Sequence, residues 1–523
     1  MLESEHTNHT AFPDGNYFFV TSKFGESFGG LTSSMFQRGR LFGQYANVHS
    51  TVVTFNYNPN YGSVIDNLRD RKIMSNSIHF INLYDYFRRE SVQYEKKENK
   101  VEEEGLVYHQ QGTNIYRFFY NGLYKKYKRF DQEGNLKVVH HFNENRYRYK
   151  TDEYDNMGYI HRTHYYDLFS PDIVRQTIFY RKNGSAYMTK WFKLVDNENQ
   201  VERIQIYDQS GEIITVLDSD LQMQHYFLDI LTNNEEKNFI ISEARAADPI
   251  IMSYKNKHAF KIFMTHDVHL EKPRNFDSPL LKENKEVFEN IDKPDAIVIL
   301  TNKQKSDIVS RYGEKSNFFL IPHAYKDAPQ LNDETIPKDM KKAVLIGRLA
   351  PQKQIDHAIL AFSKVLETLP DVKLEIYGTG KDEEKLTKLI KKKKVQKNVR
   401  LMGFTNNPSN VYKSAAFSVL SSDHEGFGLV ILESLSVGCP VISYDLKYGP
   451  SDMIIDGTNG FLVKDKDIDA LAEKIIYAFD NPVLIEEMSK HASEVTSKFS
   501  EEHFIENWGK LFRQVSAKEN LEK

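Results

Sequence analysis

The residues Ala343-Val344-Leu345-Ile346-Gly347-Arg348-Leu349 place a glycine and an arginine directly after a short apolar run. Similar apolar runs recur at residues 373–377, 399–402, 417–420 and 440–443, and helix-like segments separate them. Apolar strands that alternate with amphipathic helices are typical of a parallel, doubly wound sheet. This part of the chain is therefore predicted to be an α/β domain whose ligands bind at the carboxyl ends of its strands.

Two segments nearer the N-terminus carry the same pattern. Residues 17–20 and 52–55 read as strands on either side of a helix at 31–45, and residues 80–83 suggest another strand. Further apolar runs follow at residues 239–242, 261–264, 296–300 and 318–321. Because both segments contain apolar strand-like runs of the α/β type, they are predicted to form one α/β domain that a different segment interrupts.

The interrupting segment is polar, rich in tyrosine and broken by turn signals. Gly134, Gly158, Gly184 and Gly211 each end an Asx–Gly turn, and they lie 24, 26 and 27 residues apart. Alternating polar and apolar residues flank these turns, which predicts β-hairpins paired into one antiparallel sheet. Open sheet edges favour a role in oligomerisation or in binding an acceptor. The alternative is an insertion that packs only on its own domain.

The boundaries between these sequence patterns predict the boundaries of the domains. Residues 1–85 and 226–330 form the two parts of an N-terminal Rossmann-like domain, residues 86–225 the β-repeat insertion, residues 331–500 a C-terminal domain, and residues 501–523 a helix that could cross back to the N-terminal domain. Residues 1–15 read as a polar, weakly ordered leader. Residues 324–341 read as a linker, because they contain two prolines among acidic and amide residues.

The composition limits the classes of function. The 523 residues include 69 Lys+Arg and 73 Asp+Glu, and the resulting net charge of −4 argues against nucleic-acid binding by charge alone. The single cysteine, Cys439, excludes an intramolecular disulfide and any multi-cysteine metal site. Because no signal-like leader or long apolar run is found, a cytoplasmic protein is expected. The run Lys391-Lys392-Lys393-Lys394 reads as a solvated helix end, or else as a patch that attracts a polyanionic acceptor or the inner face of the cell membrane.

Two groups of residues have the chemistry of a phosphate and sugar site. Arg348 and Lys353, five positions apart after a strand, could converge on one diphosphate, although a solvated basic pair is the simpler interpretation. Glu425 and Glu433 lie eight positions apart, with Gly426 and Gly428 between them. If a helix begins near Gly428, the backbone N–H groups of Leu429 and Val430 face an anion, Glu433 could bind a ribose diol, and Glu425 would face a sugar. The alternative is a glycine-rich loop with a glutamate on the helix surface.

Together these motifs resemble a known family. The glutamate pair, the upstream cations and the downstream Gly438-Cys439-Pro440-Val441-Ile442 are similar to the C-terminal domain of retaining GT-B glycosyltransferases of family 4, over residues 342–508. The motifs Phe28-Gly29-Gly30-Leu31-Thr32 and Glu506-Asn507-Trp508, with the tyrosine-rich repeats, extend the likeness over nearly the whole chain. These features resemble the poly(glycerol-phosphate) α-glucosyltransferases and related wall teichoic acid α-glycosyltransferases. The implied fold is GT-B, two doubly wound Rossmann-like domains with a β-rich insertion in the N-terminal one.

The resemblance implies a role for each of these residues. Arg348 and Lys353 would hold the donor diphosphate, Glu433 the ribose and Glu425 the hydroxyls of the transferred sugar. Gly29 and Gly30 lie in the first β–α loop, where backbone amides approach the donor phosphate or the acceptor. His266 follows the strand at 261–264 and would contact the donor sugar near the reacting centre, although a lone histidine is more often structural.

Three further assignments carry less weight. His269 competes with His266 for its role, and a metal site formed by the two histidines is discounted because no carboxylate cluster accompanies it. Tyr377, Gly403 and Phe404 follow strands whose ends should border the uracil, but turn chemistry explains them equally well.

The implied reaction is a retaining transfer of glucose or N-acetylglucosamine from a UDP-sugar, in α-linkage, onto hydroxyls of poly(glycerol phosphate) or poly(ribitol phosphate) in wall teichoic acid. No Asp-x-Asp run is recognised in a strand-end loop, so we expect no metal and no cofactor. A homo-oligomer, for example a trimer, is expected through the insertion, with peripheral membrane contact as an option. One alternative is an O-glycosyltransferase of serine-rich surface proteins. Another is a catalytically silent acceptor-binding partner, which the complete set of charged residues disfavours.

Overall fold

The computed structural model describes residues 12–25, 29–89, 92–170, 172–232, 235–325 and 336–517. Phe28, residues 1–11 of the predicted leader, residues 326–335 of the predicted linker and residues 518–523 lie outside these ranges. The described strands form three sheets, which have seven parallel, ten antiparallel and six parallel strands. Two doubly wound parallel sheets with an antiparallel insertion confirm the predicted GT-B fold class.

The chain begins with half of the first parallel sheet. Its elements are β1 (Asn16–Thr21), α1 (Gly30–Ala46), β2 (Ser50–Thr54), α2 (Tyr61–Asp70), β3 (Ile78–Asn82) and α3 (Leu83–Arg88). The strands are short and apolar because helices cover both faces of a parallel sheet.

The insertion follows as one antiparallel meander in which each strand pairs with the next. Its strands are β4 (Val107–Gln111), β5 (Ile115–Tyr120), β6 (Leu123–Phe130), β7 (Leu136–Phe142), β8 (Arg148–Tyr154), β9 (Ile160–Tyr166), β10 (Val174–Tyr180), β11 (Ala186–Val195), β12 (Glu198–Tyr207) and β13 (Ile213–Leu217). The predicted hairpins and their pairing into a single sheet are confirmed.

The Asx–Gly turns have the geometry that their sequence predicts. In the turn between β8 and β9, one carboxylate oxygen of Asp155 accepts the backbone N–H groups of Met157 and Tyr159. Gly158 has a φ of +83°, a left-handed conformation that favours glycine. Asp131 and Asp208 bind the backbone of their own turns in the same way. The repeat therefore reflects a turn that is used again between alternate strands.

The chain then returns to the first parallel sheet. The elements are α4 (Asp220–Leu231), β14 (Asn238–Ser242), α5 (Asp248–Ser253), β15 (Ala259–Met264), α6 (Lys285–Phe288), β16 (Ala296–Ile299), α7 (Asn302–Tyr312) and β17 (Phe318–Leu320), with 3₁₀ turns at Arg245–Ala247 and Lys282–Asn284. The strand order is β17-β16-β15-β14-β1-β2-β3. The order reverses between β14 and β1, which makes that pair the switch point of the N-terminal lobe.

The second parallel sheet forms the C-terminal lobe. Its elements are β18 (Asp339–Ile346), α8 (Ile355–Thr368), β19 (Lys373–Tyr377), α9 (Glu383–Lys393), β20 (Val399–Gly403), α10 (Pro408–Lys413), β21 (Ala415–Leu420), α11 (Leu429–Ser436), β22 (Val441–Tyr444), α12 (Pro450–Met453), β23 (Gly460–Val463), α13 (Ile468–Asp480), α14 (Pro482–Ala492), α15 (Val495–Lys498) and α16 (Glu501–Ala517), with a 3₁₀ turn at Pro351–Lys353. The strand order is β20-β19-β18-β21-β22-β23, so the switch point lies between β18 and β21.

Two strands differ from the sequence-based prediction. β18 begins at Asp339, within the predicted linker, because Asp339 pairs with Ala415 of β21 before the apolar run starts. β23 is absent from the predicted set, because four residues that begin with a glycine give a weak strand signal. The second difference has a consequence for the site, since an Asp-x-Asp run, Asp465-Lys466-Asp467, follows β23 directly.

The last helix, α16, packs on α1 of the N-terminal lobe. Trp508 and Phe512 are fully buried against Phe42 of α1, with ring centroids 5.6 and 5.7 Å apart respectively. Phe12 lies against the same cluster, 5.0 Å from Phe512. The last described helix thus packs on the lobe that contains β1. No described helix is both long enough and apolar enough to cross a bilayer.

Candidate active site

The candidate residues follow the strands at both switch points. Gly29 and Gly30 come after β1, and His266 comes after β15. In the other lobe Arg348 and Lys353 come after β18, and Glu425 comes after β21. These loops line a cavity of about 530 Å³ between the lobes. The carboxyl-end rule therefore places the predicted residues on one cavity.

Ten of the predicted residues line this cavity, which we call the donor cavity. They are Gly29, Gly30, His266, Arg348, Lys353, Glu425, Gly428, Leu429, Val430 and Glu433. The predicted base-contacting residues Tyr377, Gly403 and Phe404 are not among its lining residues. The Tyr377 hydroxyl instead donates to Glu375, and the carbonyl of Gly403 accepts the N–H of Gly378. In this structure the two loops support the 347–349 turn, since Gly347 N–H donates to the Tyr377 carbonyl.

Two helices begin at the donor cavity. The 17-residue α1 begins at Gly30, and the eight-residue α11 begins at Leu429. Neither helix has an acidic residue in its first turn. Their ends lie close together, because a Cβ atom added to Gly30 would be 3.8 Å from Cδ1 of Leu429. Two unneutralised helix N-termini that meet at a cavity create a local preference for an anion such as a phosphate.

A largely buried ion pair forms part of the wall of the donor cavity. The Lys353 ammonium lies 2.5 Å from a carboxylate oxygen of Glu425, which also accepts the Ser422 hydroxyl at 2.6 Å. Arg348 is exposed, and no other described residue forms a side-chain hydrogen bond or ion pair with it. Lys353 is therefore held in place by Glu425, whereas the Arg348 guanidinium is available to a ligand.

One glycine allows the two lobes to meet at this wall. A Cβ atom on Gly426 would overlap the backbone carbonyl of His266 in the opposite lobe. The sequence suggested only a glycine-rich loop, but the structure shows that the glycine is needed for a close approach of two backbones. This contact brings Glu425 and His266 to the same part of the cavity.

His266 belongs to a buried network that the sequence did not reveal. Its Nε2 lies 2.8 Å from a carboxylate oxygen of Glu243, and the other oxygen of Glu243 pairs with Arg38 of α1. Glu243 and Arg38 are 0% and 1% exposed. Burial raises the pKa of Glu243, but the Arg38 charge and the His266 hydrogen bond outweigh it, so the pKa lies below its usual value. Because burial also lowers the pKa of His266, the imidazole is neutral and donates Nε2–H to the carboxylate.

Further residues escaped the sequence analysis. His323, which follows β17, lines the donor cavity and stacks on His266 with ring centroids 6.2 Å apart. Gln352 lines it as well, and its side-chain amide donates to the carbonyl of His424. Glu243 could have been predicted as a site residue by the strand-end criterion, because it directly follows β14, a strand at the switch point. The buried position of Arg38 could not be predicted from the sequence, because an arginine within a helix, here the one at 31–45, is usually exposed.

The structure also locates the residues considered for metal binding. The His269 ring is buried between Phe288 and Tyr448, with centroids 5.0 and 6.1 Å away, and it does not line the donor cavity. The expectation that no Asp-x-Asp run follows a strand is wrong, because Asp218-Ser219-Asp220 follows β13 and Asp465-Lys466-Asp467 follows β23. Asp467 caps α13 by accepting the Ala470 N–H, and none of these aspartates lines the donor cavity. Within the described ranges no three His, Cys, Asp or Glu side chains cluster in a way that could hold a metal ion.

The chain is similar to proteins of known activity. The family description "Glycosyl transferases group 1" matches residues 327–495. The poly(glycerol-phosphate) alpha-glucosyltransferase of Bacillus subtilis (strain 168) is 30% identical over 97% of this chain and 76% of its own length. The poly(ribitol-phosphate) alpha-N-acetylglucosaminyltransferase of Staphylococcus aureus (strain COL) is 28% identical over 95% of this chain and 99% of its own length.

A solved structure resembles the whole molecule. The S. aureus protein TarM, crystallised as a mutant with fondaparinux, alpha-GlcNAc-glycerol and UDP, has a TM-score of 0.81 and 26% sequence identity. The match covers 95% of this chain and 100% of that chain, so it includes the insertion as well as both lobes. The lobes, the insertion and the sequence thus agree, and the chain belongs to the group 1 glycosyltransferases, in the family that includes poly(glycerol-phosphate) alpha-glucosyltransferase.

Proposed function

We propose that this protein transfers glucose or N-acetylglucosamine from a UDP-sugar, in α-linkage, onto hydroxyls of a poly(glycerol phosphate) or poly(ribitol phosphate) chain of wall teichoic acid. The observation that carries this proposal is the donor cavity. Two helix N-termini, two cations and two glutamates meet there at the carboxyl ends of strands from both lobes. The relatives that match almost the whole chain support the choice of donor and acceptor.

The donor diphosphate binds to the cationic side of the cavity. Arg348 supplies a planar fork that suits two phosphate oxygens, and Lys353 supplies a mobile point charge. The N–H groups of Leu429 and Val430 at the start of α11 complete the anion site. Glu433, one turn into that helix, accepts hydrogen bonds from the ribose diol. These groups stabilise the negative charge that develops on the departing UDP.

The transferred sugar lies between Glu425 and His266. A diphosphate that attracts Lys353 weakens the ion pair with Glu425, whose carboxylate is then available to sugar hydroxyls. Because Nε2 of His266 is occupied by Glu243, the lone pair of Nδ1 is left to accept a hydroxyl of the sugar. Donor binding thus rearranges the site, since the diphosphate and the sugar separate two side chains that pair in their absence.

The reaction proceeds with retention on the front face of the sugar. The acceptor hydroxyl attacks the anomeric carbon on the side from which UDP departs, and the departing phosphate oxygen takes its proton. This route requires no base from the protein. Since Arg348, Lys353 and the helix N-termini balance the diphosphate charge, the reaction requires no divalent metal.

The insertion suits assembly into a homo-oligomer. β4 and β13 are the two edges of its sheet, and both expose apolar side chains, among them Val107 at 75% and Ile213 at 51%. Edges of this kind pair readily with strands of another copy. We place the enzyme at the cytoplasmic side of the membrane, where the lysine run at 391–394 could contact anionic lipid headgroups.

The test is to combine UDP-glucose or UDP-N-acetylglucosamine with purified poly(glycerol phosphate) or poly(ribitol phosphate) and to determine the anomeric configuration of the product by NMR. We expect UDP release with one of the two donors and an α-linked sugar on the polymer. A β-linked product would contradict the proposed retention. The absence of transfer from either donor to poly(glycerol phosphate) and to poly(ribitol phosphate) would contradict the function itself.

A further inference from the structure

A second cavity of about 550 Å³ lies beside the donor cavity. The two cavities share Leu31, His266 and Asp267 as lining residues. Because His266 marks the position of the transferred sugar, a molecule in the second cavity is next to the reacting carbon. We therefore call this space the acceptor cavity, and this assignment rests on the proposed function.

A cluster of charged side chains forms one wall of the acceptor cavity. Lys272 and Arg274, from the loop after β15, lie 3.1 and 2.8 Å from the same carboxylate oxygen of Asp423 in the C-terminal lobe. Lys466 lies 3.1 Å from the other oxygen of Asp423. These cations hold the pKa of the buried Asp423 far below its usual value, although burial raises it.

The cluster has more positive than negative charge. The three cations face Asp423 and Asp465, the second of which lies 3.5 Å from Lys466. Lys272 and Arg274 line the acceptor cavity, whereas Lys466 does not. The Lys272 side chain is 65% exposed, so its ammonium has N–H donors free for a ligand. The Arg274 side chain is 11% exposed and is held by Asp423 and His424. The wall therefore presents one mobile and one fixed cation to the cavity.

The rest of the cavity has a different chemical character. Its other charged lining residues are one cation and four carboxylates: Arg245, Glu243, Asp267, Glu271 and Glu283. The carboxylates would repel a phosphate, but they accept hydrogen bonds from polyol hydroxyls. A cationic wall beside hydroxyl-binding carboxylates matches a repeating unit of polyol and phosphodiester. We propose that Lys272 and Arg274 bind the phosphodiester next to the accepting polyol unit, and that Asp423 positions Arg274 for this contact.

The test compares single-charge variants in kinetics with the polymer as the varied substrate. Lys272→Ala should raise the KM for poly(glycerol phosphate) about tenfold at low salt and leave the KM for the UDP-sugar unchanged. The slope of log kcat/KM against log salt concentration should become shallower by about 0.7, the value for the loss of one phosphate contact on a flexible chain. Lys272→Arg should restore both quantities in large part.

Two controls separate this role from a structural one. Lys364→Ala removes the same charge from a surface ion pair with Asp469, and it should change neither KM. Lys303→Ala removes an ion pair with Asp445 that joins the two lobes outside the acceptor cavity. If the cluster merely held the lobes together, this variant would be as harmful as Lys272→Ala, and both variants would raise both KM values. Equal effects of those two variants, or a polymer KM that Lys272→Ala leaves unchanged, would overturn the proposal. Should the unaltered enzyme transfer no sugar to a polyol phosphate, the proposed function would fail, and this inference with it.

Discussion

At the scale of single residues, the pair of Lys353 and Glu425 would connect the nucleotide with the transferred sugar in the proposed site. The two groups neutralise each other in the ligand-free protein, at 2.5 Å. Both would acquire new partners when the donor binds, the ammonium a phosphate and the carboxylate a sugar hydroxyl. Donor binding would therefore replace one ion pair with a lysine–phosphate contact and a carboxylate–hydroxyl hydrogen bond.

Removal of either partner should affect turnover far more than folding. We expect Lys353→Ala and Glu425→Gln to reduce kcat by about 10²-fold or more, the usual effect of losing one group that stabilises the transition state. Thermal unfolding should shift by only a few degrees, since both groups lie at the cavity wall. Steady-state kinetics and a thermal melt check this, with Lys364→Ala as the control. Near-full activity of both variants would refute the assignment of the site.

Glu243 should affect both activity and stability. Glu243→Gln leaves the Arg38 guanidinium buried without a counter-charge, which costs about 3–5 kcal/mol in comparable cases. The amide also keeps only one acceptor oxygen for the two donors, Arg38 and His266, so the ring of His266 is less firmly fixed and kcat should fall by about 10-fold or more. Denaturant unfolding and kinetics test the two effects separately. If the variant matched the unaltered protein in stability, Arg38 and Glu243 would not form the pair that the structure shows.

At the scale of elements, short loops between strands and helices position the site. Strand β21 ends in the loop that carries Glu425, and α11 begins where Gly428 adopts a φ of +88°. Gly426 in that loop lies against the backbone of the opposite lobe. The elements thus fix where each functional group lies, and the glycines fix how closely the loops approach.

Gly426→Ala should disable the enzyme without unfolding it. The added methyl group would overlap the His266 carbonyl, so the lobes must separate or the loop must move. We expect kcat to fall by about 10²-fold, because a displacement of about 1 Å has this effect on positioned reactants. Gly62→Ala in α2 is a suitable comparison, because its added Cβ meets no atom within 4 Å and its backbone is helical. Equal activity of the two variants would show that the lobes do not meet at Gly426.

Much of this element structure could be predicted from the sequence. The strands of the parallel sheets can be identified from short apolar runs, because both faces of such strands are buried. The hairpins of the insertion can be identified from the Asx–Gly turns. The close approach at Gly426 could not be predicted, since it depends on how two lobes distant in sequence meet. The network of Arg38, Glu243 and His266 escaped for the same reason, because its members come from three separate segments. Tyr377, Gly403 and Phe404 follow β19 and β20, outside the switch-point pair β18 and β21, and their contact with the uracil stays a prediction.

At the scale of the whole molecule, several buried histidines link stability to pH. Burial lowers the pKa of His269 to about 4 and that of His161 to about 3, and it also lowers the pKa values of His266 and His323. In the unfolded chain a histidine has a pKa of about 6.5, so the unfolded state binds more protons below that pH. Stability due to these groups is present above pH of about 6.5 and is lost as the pH falls.

The melting temperature should therefore be lower at pH 5.5 than at pH 7.5. A buried neutral histidine loses at most about 1.4 kcal/mol per pH unit, and only between its unfolded and its folded pKa. Asp248 opposes them, because burial raises its pKa to about 6 and its protonation favours the folded state at lower pH. Burial raises the pKa of Asp85 as well, but four histidines outweigh two carboxyl groups, so the net change is a loss. A melting temperature that stays constant or rises over this interval would contradict the buried, neutral state of these rings.

The central claim is that the two lobes transfer a sugar from UDP to a polyol-phosphate chain. The most direct measurement offers UDP-glucose and UDP-N-acetylglucosamine, each with poly(glycerol phosphate), poly(ribitol phosphate) and a serine-rich peptide, in the presence and absence of EDTA. We predict transfer to a polyol phosphate that EDTA does not diminish. Transfer to the peptide alone would contradict the assigned acceptor, and activity that EDTA abolishes would contradict the role of Arg348, Lys353 and the helix N-termini as the groups that balance the diphosphate charge.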